Sequence, residues 1–191
     1  MARDYREWIK DMAHRDAWLA VMGVGGLGLN AIAIARALGF ENIVAVDIND
    51  DSLNAAKDLG AKAVLNPKDG NDIERLRELT QNELTDVLDT VGLASTAKLA
   101  VHAMIKGGRY VVVGLHGGDF KMPQPWLPQK AMMVRGCHVG TKAQLEELIE
   151  LVRSGKIAQM PVELRPLGEV NHALDDLKNG RVTGRIVLTN D

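Results

Sequence analysis

The chain has 191 residues, 46% of them hydrophobic, with a formal net charge of −2, so it can bury one good-sized core and offers no broad basic surface for nucleic acid. Its longest apolar runs fall short of the ~20 residues needed to span a bilayer, and its charged N-terminus lacks a signal-like segment; a cytoplasmic chain without membrane partners is the expectation. The single cysteine, Cys137, excludes an intrachain disulfide and a multi-cysteine zinc cluster.

Residues 1–17 come first, and there Tyr5, Trp8, Ile9 and Met12 follow helical spacing. Such a stripe reads either as a helix docked on its own sheet or as one that binds a partner. A strand is predicted at 18–22, followed at once by Gly23-Val24-Gly25-Gly26-Leu27-Gly28 and a helix-forming stretch at 30–38. The order strand, glycines, helix marks a dinucleotide pyrophosphate site. Gly23 suits the tight exit from the strand, Gly25 and Gly26 let phosphates reach the backbone, and Gly28 lets helix and sheet approach, with Val24 and Leu27 packing beneath.

The second predicted strand, 42–47, ends on Asp47, which follows Gly28 by 19 residues, close to the spacing of about 20 at which a carboxylate meets the adenosine ribose. A carboxylate there repels a 2′-phosphate, and Ile48-Asn49-Asp50-Asp51 brings no arginine to neutralise one. NAD is expected in preference to NADP. The alternative is a glycine-rich turn in an α/β protein with a solvated aspartate at a strand end.

Further along, a helix at 52–59, a strand at 63–65, a polar helix at 72–80 and a strand at 85–91 follow, with Ser95 placed to cap a helix at 96–105. A buried strand is expected at 109–113. Residues 115–130, rich in proline and glycine, read as a long surface excursion before a strand at 132–139. A helix at 141–154 carries Leu145, Leu148, Ile149 and Val152 on one face. This alternation predicts an α/β fold, a doubly wound parallel sheet of Rossmann type in three layers, over 18–160. The remaining segment, 161–191, holds strands at 162–164 and 185–188 around a helix at 168–179, and needs pairing partners. Cys137 reads as a small strand residue or a reactive thiol, and the histidines His102, His116, His138 and His172 lack metal-ligand spacing.

Taken together, the glycine run, Asp47-Ile48-Asn49, Leu59-Gly60-Ala61, Asp89-Thr90-Val91-Gly92, Gly107-Gly108-Arg109-Tyr110-Val111-Val112-Val113-Gly114 and Gly184-Arg185-Ile186-Val187-Leu188 resemble the cofactor-binding half of a medium-chain, zinc-dependent alcohol dehydrogenase. The resemblance covers 18–190. It implies that Thr90 and Val91 flank the adenine and nicotinamide ribose, that Val113, Gly114 and Leu115 meet the nicotinamide, that the backbone of Cys137, His138 and Val139 touches its carboxamide, and that Arg185 approaches the pyrophosphate. With Gly23, Gly25, Gly26, Leu27, Gly28, Asp47 and Ile48 these form the expected cofactor-binding set. Val113 and Val139 as plain core residues, and Arg185 as a solvated charge, are the competing readings.

Family members of this type also join two subunits through the strand matching 133–139, which implies a homodimer. In the zinc-dependent members a cysteine, a histidine and a further cysteine or acid, all preceding the glycine motif in a separate catalytic domain, hold the metal. Upstream of Gly23 this sequence has no cysteine, and His14 stands alone. The expectation is an NAD-binding domain without the zinc-bearing half, with no catalytic residue, metal ligand or zinc of its own and little capacity to oxidise alcohols alone; the segment 161–191 resembles the part that packs with the catalytic domain in full-length members. Two other functions stay open. One is an NAD-sensing or protein-interaction module, and the other a small complete reductase, which the absence of a lysine four positions after Tyr5 or Tyr110 opposes.

Overall fold

A computed structural model describes residues 17–68 and 70–190. The expected N-terminal stripe of Tyr5, Trp8, Ile9 and Met12, like His14, lies outside the described residues. Six strands, β1 (Trp18–Met22), β2 (Ile43–Val46), β3 (Ala63–Leu65), β4 (Leu84–Asp89), β5 (Arg109–Val112) and β6 (Met133–Gly136), form one parallel sheet in the order β3-β2-β1-β4-β5-β6. That is the doubly wound order, with its reversal between β1 and β4.

Alternation along each strand builds two cores. On β1, Leu19 and Val21 point to the face covered by helices α1 (Gly26–Ala37) and α2 (Asp50–Asp58), where Leu29, Ile32, Leu53 and Ala56 meet them. Trp18, Ala20 and Met22 point the other way, to Leu76 of α3 (Asp72–Leu79) and to Ala97, Ala100 and Val101 of α4 (Ala94–Ala103). A strand covered on both faces reads as an unbroken apolar run, which is why Trp18-Leu19-Ala20-Val21-Met22 is buried throughout. The three layers expected from the sequence are present. At the buried end of this sheet Asp86 meets Arg109 through paired bonds of 2.6 and 3.1 Å.

Several boundaries differ from the sequence reading. Helix α4 begins at Ala94, so Ser95 lies inside its first turn and is not its cap; Thr96 serves instead, its hydroxyl accepting the Leu93 N–H at 3.1 Å. Leu27 is exposed rather than packed beneath the glycine run. The excursion 115–130 contains a short helix, α5 (Trp126–Gln129), with Trp126 edge-on to His102 and below the Lys130 ammonium. Strand β6 stops at Gly136, and Val139 takes a positive φ of 46°, outside strand geometry.

Helix α6 (Lys142–Arg153) starts with a capping box in which Thr141 and Gln144 bond reciprocally, but its apolar residues Leu145, Ile149 and Val152 are exposed. Past it, β7 (Val162–Pro166) and β8 (Arg185–Thr189) pair with each other in parallel as a separate two-stranded sheet, joined by a 3-10 turn (Leu167–Glu169) and α7 (Val170–Lys178). Among the described residues no helix is long and apolar enough to cross a membrane.

Candidate functional site

Where the strand order reverses, the chain leaving β1 turns to one face of the sheet and the chain leaving β4 to the other, which opens a crevice at their C-terminal ends. The glycine run lines it. Gly23 has φ +80°, and a Cβ there would overlap Val91 and lie 2.8 Å from Thr90 Oγ1. At Gly28 a Cβ would overlap the Gly23 carbonyl, so the helix sits against the turn only because the side chain is absent. Gly25 differs: an added Cβ would meet nothing within 4 Å. The backbone is therefore closed on the protein side and open on one outward side.

Helix α1 begins from Gly25 with no side-chain cap and no acidic residue in its first turn, so its positive end is left for an anion. A cation stands over the same place. The guanidinium of Arg185, on β8, lies against Gly26 so closely that a Cβ there would overlap its central carbon, and this is the one expected site residue contributed by the C-terminal unit. A second contact holds that unit to the crevice: Asn49 Nδ2 donates to the Gly180 carbonyl at 2.9 Å, while Asn49 Oδ1 accepts from Ser52 N–H and caps α2.

Asp47 follows β2 and is half-buried. Its Oδ2 accepts the Val24 N–H at 2.7 Å and its Oδ1 accepts the Asn49 N–H at 2.9 Å. The carboxylate thus fixes the glycine turn from the neighbouring strand, a role its sequence spacing did not disclose. Thr90 makes the matching tie from β4, its hydroxyl donating to the Gly23 carbonyl at 2.7 Å.

A cluster that sequence reasoning missed lies under the β4 end. Asp89 is fully buried; Oδ1 accepts the N–H groups of Val91 and Gly92, each at 2.9 Å, and Oδ2 accepts the hydroxyls of Thr96 at 2.6 Å and Tyr110 at 2.7 Å. Burial and the neighbouring Asp89 charge push the Tyr110 phenol well above its ordinary range, so it remains a donor. A charged residue closing a strand, three positions before a glycine, was the available signal; its partners on α4 and β5 were too distant in sequence to be matched to it.

The remaining expected residues divide. Val113 and Gly114 follow β5 beside the crevice, where both N–H groups bond to the Asp89 carbonyl, at 2.8 and 3.0 Å, and a Cβ on Gly114 would overlap Val91. Ile48 and Leu115 present bare apolar side chains, 70% and 82% exposed. His138 and Val139 follow the edge strand β6, separated from the crevice by β5, and Val139 is 78% exposed. Among the described residues no three His, Cys, Asp or Glu side chains are arranged to hold a metal ion, so these residues do not fit a zinc site.

Comparison with known proteins matches residues 26–154 to the family model described as zinc-binding dehydrogenase. An NAD-dependent alcohol dehydrogenase of Sulfurisphaera tokodaii is 34% identical over 89% of this chain and 50% of its own length. Among solved structures, the alcohol dehydrogenase of Aeropyrum pernix superimposes with a TM-score of 0.87 at 28% identity, over 96% of this chain and 52% of that one. The acetophenone reductase of Geotrichum candidum, solved in complex with NAD, gives 0.79 at 28% identity over 97% and 52%. The chain spans about half the length of the curated relatives it matches.

Proposed function

The chain belongs to the zinc-binding dehydrogenase family, and we propose that it binds NAD(H) as the cofactor-binding half of a medium-chain alcohol dehydrogenase. One observation carries this reading above the others: the open backbone at Gly25, the uncapped start of α1 and the Arg185 guanidinium against Gly26 converge on one place, which suits a diphosphate. Asp47 and Ile48 then take the adenosine half. Thr90 and Val91 flank the adenine and the nicotinamide ribose, and Val113, Gly114 and Leu115 take the nicotinamide, with His138 and Val139 at its carboxamide. Bound there, the cofactor supplies hydride chemistry; the chain's own residues bind and orient it.

The same reading assigns residues 18–160 to the cofactor-binding domain and 161–191 to an appendage that delivers Arg185. Strand β6 is an edge strand with Met133 and Val134 exposed, which supports pairing with a second copy in a homodimer. Alcohol oxidation by these 191 residues alone is not expected, because the residues described supply one side of a substrate cleft.

Calorimetry with NAD and NADP tests the proposal. Wild type is expected to favour NAD, and Asp47→Ala to lose tenfold or more in NAD affinity together with that preference; unchanged affinity and preference would overturn it. Coupled NADH production with a panel of alcohols, with and without zinc, separates binding from turnover.

A further inference from the structure

We propose that two backbone anchors on the C-terminal unit seat the Arg185 guanidinium over the start of α1, and that Gly184 and Asn49, which make those anchors possible, are positioning residues for the diphosphate contact. The inference rests on the NAD-binding reading above and adds to it how an exposed side chain on a small, separate sheet is aimed at the glycine run.

Arg185 is exposed, and the ion pairs of the C-terminal unit engage Arg165 and Arg181, with none among the described residues engaging Arg185. An unpaired arginine has rotamer freedom to lose, so its reach to Gly26 depends on where its Cα stands. The first anchor lies at its own root. Arg185 N–H donates to the Pro161 carbonyl at 3.1 Å, and the preceding Gly184, buried and at φ +81°, packs on that carbonyl so closely that a Cβ would overlap the oxygen. Pro161 is placed in turn by Ile157 and Met160, which pack against the core that Leu29, Ile32 and Leu53 share with β1. The close approach of β8 to Pro161 thus carries the position of the six-stranded sheet through to Arg185.

The second anchor stands at the other end of the loop that leads from α7 to β8. There the Gly180 carbonyl accepts Asn49 Nδ2 at 2.9 Å, from a residue whose N–H is bonded to Asp47 Oδ1 and whose Oδ1 caps α2. The stretch from Gly180 to Arg185 is therefore held at both ends, and both holds are made through its backbone. Alanine at 184 would add a methyl group where the Pro161 oxygen stands and put an L side chain on left-handed backbone, so β8 and Pro161 must part. Serine at 49 still accepts the Ser52 N–H, being a good helix N-cap, but is too short to reach Gly180. The Asp47 carboxylate keeps its bonds to the Val24 and Asn49 N–H groups in either variant, because both donors are backbone.

The test is calorimetry with NAD at low and at high salt on wild type, Arg185→Gln, Gly184→Ala, Asn49→Ser and the two doubles with Arg185→Gln. The Arg185 charge makes NAD affinity fall with salt, and a merely structural weakening leaves that dependence unchanged. Arg185→Gln is expected to lose about tenfold at low salt together with most of the salt dependence. Gly184→Ala should lose about tenfold and Asn49→Ser about threefold, each with a flattened salt dependence, and each should change affinity less than about twofold when added to Arg185→Gln, because the residue it acts through is gone. Wild-type affinity or full salt dependence in either variant, or losses that multiply with that of Arg185→Gln, would overturn the inference; where Gly184→Ala does not fold, Asn49→Ser decides on the same criteria. Wild type that fails to bind NAD, or Arg185→Gln that binds as wild type does, removes the underlying reading and the inference with it, and is seen before either positioning variant is made.

Discussion

The chain sets the strand-helix-strand unit in two very different surroundings. In the six-stranded sheet, β1 and β2 are buried throughout and α1 buries eight of its twelve residues. In the C-terminal unit, β7, α7 and β8 use the same parallel pairing, yet Leu164 and Leu177 are 66% and 61% exposed and Ala173 is the one buried residue of α7. The difference shows that local pattern specifies pairing and crossover, while burial depends on how many neighbouring layers are present. Two strands and one helix cannot cover their own apolar faces. What holds the small unit together on its polar side is charge: Arg165 bonds Asp176 at 2.7 Å and Glu163 at 2.8 Å, and Arg181 joins Asp176.

The largest effect that would test this contrast is in the core. Ile32→Ala, at a fully buried position of α1, is expected to cost about 2–5 kcal/mol, whereas the matched change Leu177→Ala on α7 is expected to stay within about 0.5 kcal/mol. Urea denaturation measures both, and comparable losses would break the distinction. A smaller effect is expected at the crevice. Gly28→Ala forces a methyl group into the Gly23 carbonyl, with a cost of about 1–3 kcal/mol and loss of NAD binding, read by the same denaturation curves and by calorimetry. If the variant binds NAD normally, the glycine turn is less constrained than its packing indicates.

Acidification of the C-terminal unit should give the smallest effect. Hydrogen bonds from Arg165, then Arg181, hold the Asp176 carboxyl below its ordinary range, and Arg165 does the same for Glu163. Depressed folded-state values mean that this stabilisation is fully present above the unfolded carboxyl range of about 4 and is lost as pH falls through the lower folded values. Because these groups are exposed, the loss is modest. Carboxyl and backbone NMR shifts of residues 162–189 should move below about pH 4 while the backbone shifts of β1, which carries no carboxylate, hold; simultaneous movement would contradict the separation.

Much of the sheet was legible because its signals are local. Continuous apolar runs gave β1, β2 and β5, and the glycine run with Asp47 located the crevice before any topology was known. Long-range pairings were not legible. Asp89, Thr96 and Tyr110 meet across three elements, and nothing in the spacing of an aspartate, a threonine and a tyrosine announces it. The start of α4 was misplaced at Ser95 because a serine in the first turn looks like a cap, whereas tertiary contact with Asp89 had already committed Thr96 to that role. The parallel pairing of β7 with β8 was hidden for the opposite reason: each strand is short and exposed, so its sequence carries no burial pattern to match.

The strand order has a consequence for assembly in time. β1 to β3 come from the first third of the chain and grow outward on one side of β1, while β4 to β6 are made later and extend the other side. The central pairing of Trp18–Met22 with Leu84–Asp89 closes a loop of more than sixty residues, a slow, entropically unfavourable step that local helices cannot shortcut. Gly23 belongs to the early half and the turn it packs against, Val91, to the late one. The crevice therefore does not exist in any partly assembled sheet, and a ligand that needs both walls acts only on the completed fold, drawing the folding equilibrium toward it by mass action.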